Sequence, residues 1–124
     1  MDIYAPCALG ATVNNDTLNR LKCSIIAGAA NNQLEDEKFH GLKLMEKGIT
    51  YAPDFLINAG GLINVYREVS GISQARAMEL TENIYDTTLD IFKRASNQNI
   101  TTQEAAMKIA QDRVDSIAKL KSRR

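Results

Sequence analysis

The chain predicts an α/β fold: a parallel sheet of about four short strands, followed by a C-terminal α-helical hairpin. Three observations carry this expectation. Short apolar runs alternate with helix-forming stretches as far as Asn58, the order that builds parallel strands joined by right-handed crossovers. Residues 23–28 are apolar almost without interruption, as in a strand covered on both faces. From Leu62 onward apolar residues recur at helical spacing.

The totals fit this class. A chain of 124 residues, 44% hydrophobic and 24% charged, makes one ordinary folded domain or a fraction of a larger one. Fifteen basic residues balance fifteen acidic ones, so no global field favours nucleic acid or an anionic membrane. There is neither a basic stripe nor aromatic interleaving for a nucleic acid to use. The basic cluster of Lys119, Lys121, Arg123 and Arg124 reads as a solvated helix end, where cations suit the helix dipole. Cys7 and Cys23 lack CxxC spacing and His40 has no neighbour at metal-ligand spacing, so no metal site is expected. No apolar run approaches membrane-spanning length and no signal peptide is visible, which makes the cytoplasm, with reduced thiols, the default compartment.

Taken in order, residues 2–5 read as a first strand, ended by Pro6. This strand begins almost at Met1, and an α/β domain would ordinarily offer an earlier strand beside it. The chain is therefore expected to be cut from something longer. A small-residue loop follows, and Asn15 or Asp16 can cap a short helix through Leu21. The second strand, 23–28, ends in Gly28-Ala-Ala-Asn-Asn32 and turns into a polar helix whose buried side would come from Leu34, Leu42 and Met45. Asn32 and Glu35 stand at capping-box spacing, and Gly48 is a helix stop. Residues 49–52 read as the third strand, Pro53-Asp54 as a turn, and 55–57 as a fourth strand leading to Asn58.

A first helix then runs from Leu62 to about Val69 and stops at Ser70-Gly71. Ser73 caps a long helix with Ala77, Leu80, Ile84, Ile91 and Ala95 at helical spacing. Asn97-Gln-Asn99 is the turn, Thr101 with Glu104 forms another capping box, and the last helix carries Ala106, Ala110, Val114 and Ile117 on one face.

In parallel sheets ligands bind beyond the carboxyl ends of the strands. Three loops leave such ends with small or amide residues: Pro6-Cys7-Ala8, Ala30-Asn31-Asn32 and Asn58-Ala59-Gly60. Gly60-Gly61 would let a flat ring approach the backbone, or would serve only a tight βα turn; the residues themselves leave both readings open.

Ala5-Pro-Cys-Ala-Leu-Gly10, Ile26-Ala-Gly-Ala-Ala-Asn-Asn-Gln-Leu34 and Tyr51-Ala-Pro-Asp-Phe-Leu-Ile-Asn-Ala-Gly-Gly-Leu-Ile-Asn-Val65 together resemble the C-terminal part of the leucine, phenylalanine, valine and glutamate dehydrogenases, leucine-type enzymes above all. The resemblance implies the second half of a Rossmann domain over residues 1–61 and a C-terminal helical segment over 62–124. It implies NAD-dependent oxidative deamination of an L-amino acid to the 2-oxo acid, within a homo-oligomer. By the family pattern Pro6, Cys7, Ala8 and Ala30 lie along the dinucleotide. Asn31 and Asn32 lie near the nicotinamide ribose and substrate carboxylate, and Asn58 holds the nicotinamide carboxamide. Leu62 and Val65 line the substrate side-chain pocket; glutamate dehydrogenases carry a hydroxyl where Val65 stands, so the resemblance implies an aliphatic substrate.

The family's GxGxxG turn, acidic ribose reader and catalytic lysines and aspartate have no counterpart in this sequence. The chain alone is therefore expected to be catalytically silent. The alternative is a stand-alone interaction module or weak nucleotide binder derived from the same family.

Overall fold

The computed structural model describes residues 1–121. Its elements are β1 (Ile3–Tyr4), α1 (Asn15–Leu18), β2 (Ile25–Ile26), α2 (Glu37–Glu46), β3 (Thr50–Tyr51), α3 (Asp54–Ile57), α4 (Gly60–Ser70), α5 (Gln74–Gln98) and α6 (Thr102–Lys121). The strands form one parallel sheet in the order β1-β2-β3. Ile3 registers with Ile25 and Thr50, and Tyr4 with Ile26 and Tyr51.

That register gives the two faces different fates, because side chains alternate along a strand. Ile26 and Tyr51 turn inward onto Val13, Leu34, Leu44 and Ile49, with Tyr4 packed at the margin. Ile3, Ile25 and Thr50 remain exposed. The expectation that residues 23–28 are covered on both faces is thus corrected: among the described residues only one face of β2 is buried.

The fourth strand is also corrected. Residues 55–57 belong to the single-turn helix α3. Pro53, with φ −55°, enters it at a fixed helical angle, and the carboxylate of Asp54 accepts from the Phe55 amide at 2.7 Å. The amides of Leu56 and Ile57 donate to Pro53 O and that of Asn58 to Asp54 O, so none is left for a strand neighbour. A three-residue apolar run cannot by itself distinguish the two outcomes.

Several caps shift by a residue or more. Asn14 caps α1, accepting from Asp16 and Thr17. Asp36, not Asn32, caps α2, accepting from Phe39 N at 2.8 Å. Asn32 lies in the left-handed region at φ 53°, and its carbonyl accepts from Ala11 N. The buried side of α2 is His40, Gly41 and Leu44, while Leu42 and Met45 are exposed and Leu34 pairs with Val13 ahead of the helix. His40 Nδ1 accepts from Asp36 N at 2.9 Å, which puts the ring proton on Nε2, 3.3 Å from Asn15 Oδ1. Its role is structural.

α5 begins at its Ser73 cap and ends at Asn99 in the left-handed conformation. Ala77, Ile91 and Ala95 of the expected stripe are buried, with Leu80 and Ile84 half-buried. α5 and α6 pack through Ile91, Ala95, Ala105 and Ala106, and Arg94 bonds Asp112 at 2.8 Å. Thr101 Oγ1 caps α6 by accepting from Glu104 N, but the Glu104 carboxylate turns to Lys108. Of the α6 stripe only Ala106 is buried; Ala110, Val114 and Ile117 are exposed. Arg123 and Arg124 of the basic cluster lie outside the described residues.

Thr102 Oγ1 donates to the Tyr51 carbonyl at 2.6 Å, joining α6 to β3. Burial, and secondarily the Asp54 carboxylate, push the Tyr51 phenol well above the ordinary tyrosine range. The neutral phenol is therefore favoured in the folded state. Its contribution to stability is complete below the unfolded value of about 10 and declines as pH rises above it, by up to ~1.4 kcal/mol per pH unit. Thermal melts should show Tm falling above about pH 10, with a shallower fall in Tyr51→Phe; identical slopes would refute the assignment.

Candidate functional site

The loop that leaves β2 closes on its own side chain. Gln33 is fully buried, and its Nε2 donates to Gly28 O at 2.7 Å and Ala30 O at 2.8 Å. Ala30 N donates in turn to Pro6 O, which pulls the loop after β1 against it. Gly28 permits that approach, since a Cβ there would collide with the Pro6 backbone. The Gln33 amide donates to Asp54 Oδ2 at 3.1 Å, and Asp54 is the first residue of α3. One turn later α3 ends at Asn58.

Asn58 therefore faces the β2 loop. Its Nδ2 donates to Ala29 O at 3.2 Å and to Asn31 Oδ1 at 2.5 Å. The Ala29 carbonyl can only accept, so it fixes which end of the Asn58 amide is nitrogen. Both Nδ2 protons are then engaged within the chain. Asn58 Oδ1 and Asn31 Nδ2 are the complementary ends of the pair, one acceptor and one donor. The two residues border an open depression of about 530 Å³ that is also lined by Ala29, Phe55, Ala59 and Leu62.

Of the residues the sequence singled out, the structure brings Asn31, Asn58 and Leu62 to this depression. Pro6 and Ala30 are buried beneath it as backbone partners. Cys7 and Ala8 are exposed on the β1 loop and are not among the lining residues. Asn32 is exposed on the β2 loop. Val65, 56% exposed, lies one helical turn beyond Leu62, itself 73% exposed, and with Tyr66 and Val69 they form an exposed apolar stripe on α4.

Sequence reasoning missed Gln33 and Asp54, the buried residues that hold both loops. A signal existed at Asp54: a carboxylate just after a proline suits a helix start. Nothing in the run Asn31-Asn-Gln-Leu34 marks the third residue as the buried one. Among the described residues there is no cluster of three side chains able to hold a metal, and no helix long and apolar enough to cross a membrane.

The comparisons with known proteins agree with one another. The family model described as glutamate/leucine/phenylalanine/valine dehydrogenase matches residues 1–121. The L-tryptophan dehydrogenase of Nostoc punctiforme is 52% identical over 123 residues, which is 99% of this chain and 35% of that protein. Its crystal structure superposes with a TM-score of 0.90 over 95% of this chain and 35% of that one. The leucine dehydrogenase of Thermoactinomyces intermedius is 50% identical over 98% of this chain and 33% of its own length. The phenylalanine dehydrogenase of the same organism is 48% identical over 97% and 32%. The chain thus spans about a third of the length of the curated relatives it matches.

Gly60 and Gly61 open α4 rather than forming a separate turn. A Cβ on Gly61 would meet nothing within 4 Å. Protein packing therefore gives no reason for glycine there, although glycine costs a helix conformational entropy. Gly61→Ala should stabilise the chain by roughly 0.5 to 1 kcal/mol in urea unfolding. A loss of stability would reveal a constraint on that backbone.

Proposed function

The chain belongs to the glutamate/leucine/phenylalanine/valine dehydrogenase family, and from that premise we propose that it forms the nicotinamide-facing part of an NAD-dependent amino-acid dehydrogenase. In this reading residues 1–61 are the later half of the dinucleotide-binding domain and residues 62–124 the C-terminal helical segment. The supporting observation is the Asn31–Asn58 amide pair beside the open depression. A primary carboxamide offers one acceptor and two donors. Asn31 Nδ2 can donate to its oxygen while Asn58 Oδ1 accepts from its nitrogen, which fixes one orientation of the attached ring. The depression, bordered by Phe55, Ala59 and Leu62, has room for that ring.

The cofactor, when bound, supplies the acceptor for the hydride leaving the substrate Cα. This chain's residues orient, exclude and select. Asn58 and Asn31 set which ring face meets the substrate, so that only a correctly placed Cα comes within reach. Asn32, on the same loop, serves the ribose and the substrate carboxylate. Pro6, Cys7 and Ala8 run along the dinucleotide, and Ala30 holds Pro6 in place. Gly61, with space above its backbone, allows close approach; Gly61→Ala should weaken NADH binding while raising stability.

Leu62 and Val65 on α4 would meet the substrate side chain. Against them a charged or hydroxylated side chain would lose its hydrogen bonds, so the substrate is an apolar L-amino acid. We assign an aliphatic one, leucine, valine or isoleucine, because Leu62 is bulky and shortens the pocket. The relatives act on leucine, phenylalanine and tryptophan by their names, so a direct exchange decides. Replacing the matching third of the Nostoc punctiforme enzyme with this chain should raise the kcat/KM ratio of leucine to tryptophan at least tenfold, roughly the effect of resizing an apolar pocket. An active hybrid that keeps its tryptophan preference would refute the aliphatic assignment. The same hybrid carrying Asn58→Ala should lose affinity for NADH; unchanged affinity would refute the role of the pair.

A further inference from the structure

We propose that Gln33 and Asp54 are positioning residues, a buried brace that sets the spacing of Asn31 and Asn58. This rests on the nicotinamide reading above and adds to it the device that keeps the two amides in register.

The geometry gives the brace three connections. First, Gln33 Nε2 takes up the carbonyls of Gly28 and Ala30 at 2.7 and 2.8 Å, so the loop turns those two groups inward. Ala29 O and the Asn31 side chain, which alternate with them, meet Asn58 on the other side. Second, the Gln33 main chain is held by Asp54 Oδ2, while Asp54 Oδ1 accepts from Phe55 N. Both oxygens of the carboxylate are thus occupied by amides of the two loops that must face each other. Third, α3 is a single turn from Asp54 to Asn58, closed by Asn58 N donating to Asp54 O at 3.0 Å. A displacement at Asp54 is passed to Asn58 with no flexible joint between.

Burial makes this a brace rather than an incidental contact. Gln33 is 0% and Asp54 7% exposed. Among the described residues Gln33 Oε1 has no hydrogen-bond partner, so this side chain is held inside for its two donor bonds. A side chain that only filled space there would be better apolar.

Gln33→Glu is the discriminating variant. Its ionised form places a carboxylate against two carbonyl oxygens, and burial moves the appearance of that form to higher pH. As pH falls the carboxyl takes up a proton and can donate one of the two lost bonds. The experiment follows the Asn58 side-chain amide resonances of the chain by NMR, with NADH titrated in parallel into the hybrid enzyme described above. The Asn58 signals of Gln33→Glu should move to exposed-amide positions as pH rises and the carboxyl ionises, with at least tenfold weaker NADH binding. Both should return towards wild type as pH is lowered and the carboxyl is protonated, a reversal that a general loss of folding would not produce. Asp54→Asn, which keeps the size and one acceptor, should give an intermediate shift and covers the case in which Gln33→Glu does not fold. Wild-type Asn58 signals in a folded variant at every pH tested would overturn the brace. A hybrid enzyme carrying the unaltered chain segment that fails to bind NADH would instead sink the nicotinamide reading, and the amide signals would still judge the brace.

Discussion

A carboxylate buried between two loops governs much of this structure. The β2 loop and the start of α3 come together because Asp54 accepts the amides of both Gln33 and Phe55. The Gln33 main-chain amide, left without an acceptor in that interior, would cost about 1–3 kcal/mol. The close approach of Pro6 to Gly28 belongs to the same arrangement, since Ala30 N reaches Pro6 O only when the loop is closed on Gln33. Three strand-end loops are therefore fixed relative to each other by buried polar groups, beneath a surface made of small residues and amides. Apolar packing alone is too non-directional to hold two side-chain amides at bonding distance.

The sequence made the loops legible and left their interior hidden. Asn31 follows the small residues Gly28, Ala29 and Ala30 after β2, Asn58 precedes Ala59 and Gly60 at the end of α3, and topology places both on a common edge. Asn32 illustrates the limit. Its spacing from Glu35 fits a capping box, yet the chain needs a left-handed residue there to bring Gln33 under the loop, and the cap passes to Asp36. Local spacing was overridden by a contact 21 residues away, between Gln33 and Asp54. The fourth strand failed for a related reason: Phe55, Leu56 and Ile57 are apolar enough for a strand, but the proline and aspartate ahead of them direct every following amide into a helical turn.

Periodicity identifies an apolar face and is silent about what covers it. Residues 23–28 are buried only in part although their composition suits a strand covered twice: Cys23, Ile26 and Gly28 are buried, while Ser24 and Ile25, like Ile3 on β1, are exposed. The stripe on α6 is present as read, but only Ala106 meets α5 while Val114 and Ile117 face outward. Likewise Leu62, Val65, Tyr66 and Val69 recur at helical spacing on α4 and all are exposed. The same pattern on α5, where Ala77, Ile91 and Ala95 are buried, shows that the spacing itself was sound.

The choice of two asparagines at the candidate site follows from counting valences. Asn58 spends both Nδ2 protons on Ala29 and Asn31, which leaves it an acceptor. The residue opposite must accept one of those protons and still hold a donor in reserve. A carboxylate at position 31 would accept equally well but would have nothing left to donate, and a lysine would donate without accepting. A serine hydroxyl has both functions on one atom and is too short to span the same gap. A side-chain amide accepts at one atom and donates from another at a fixed angle, and a pair of them stays neutral, so no charge is stranded beside a partly dry surface. The bond between Asn31 and Asn58 thus does more than tether two loops: it determines which hydrogen-bonding ends remain for a ligand.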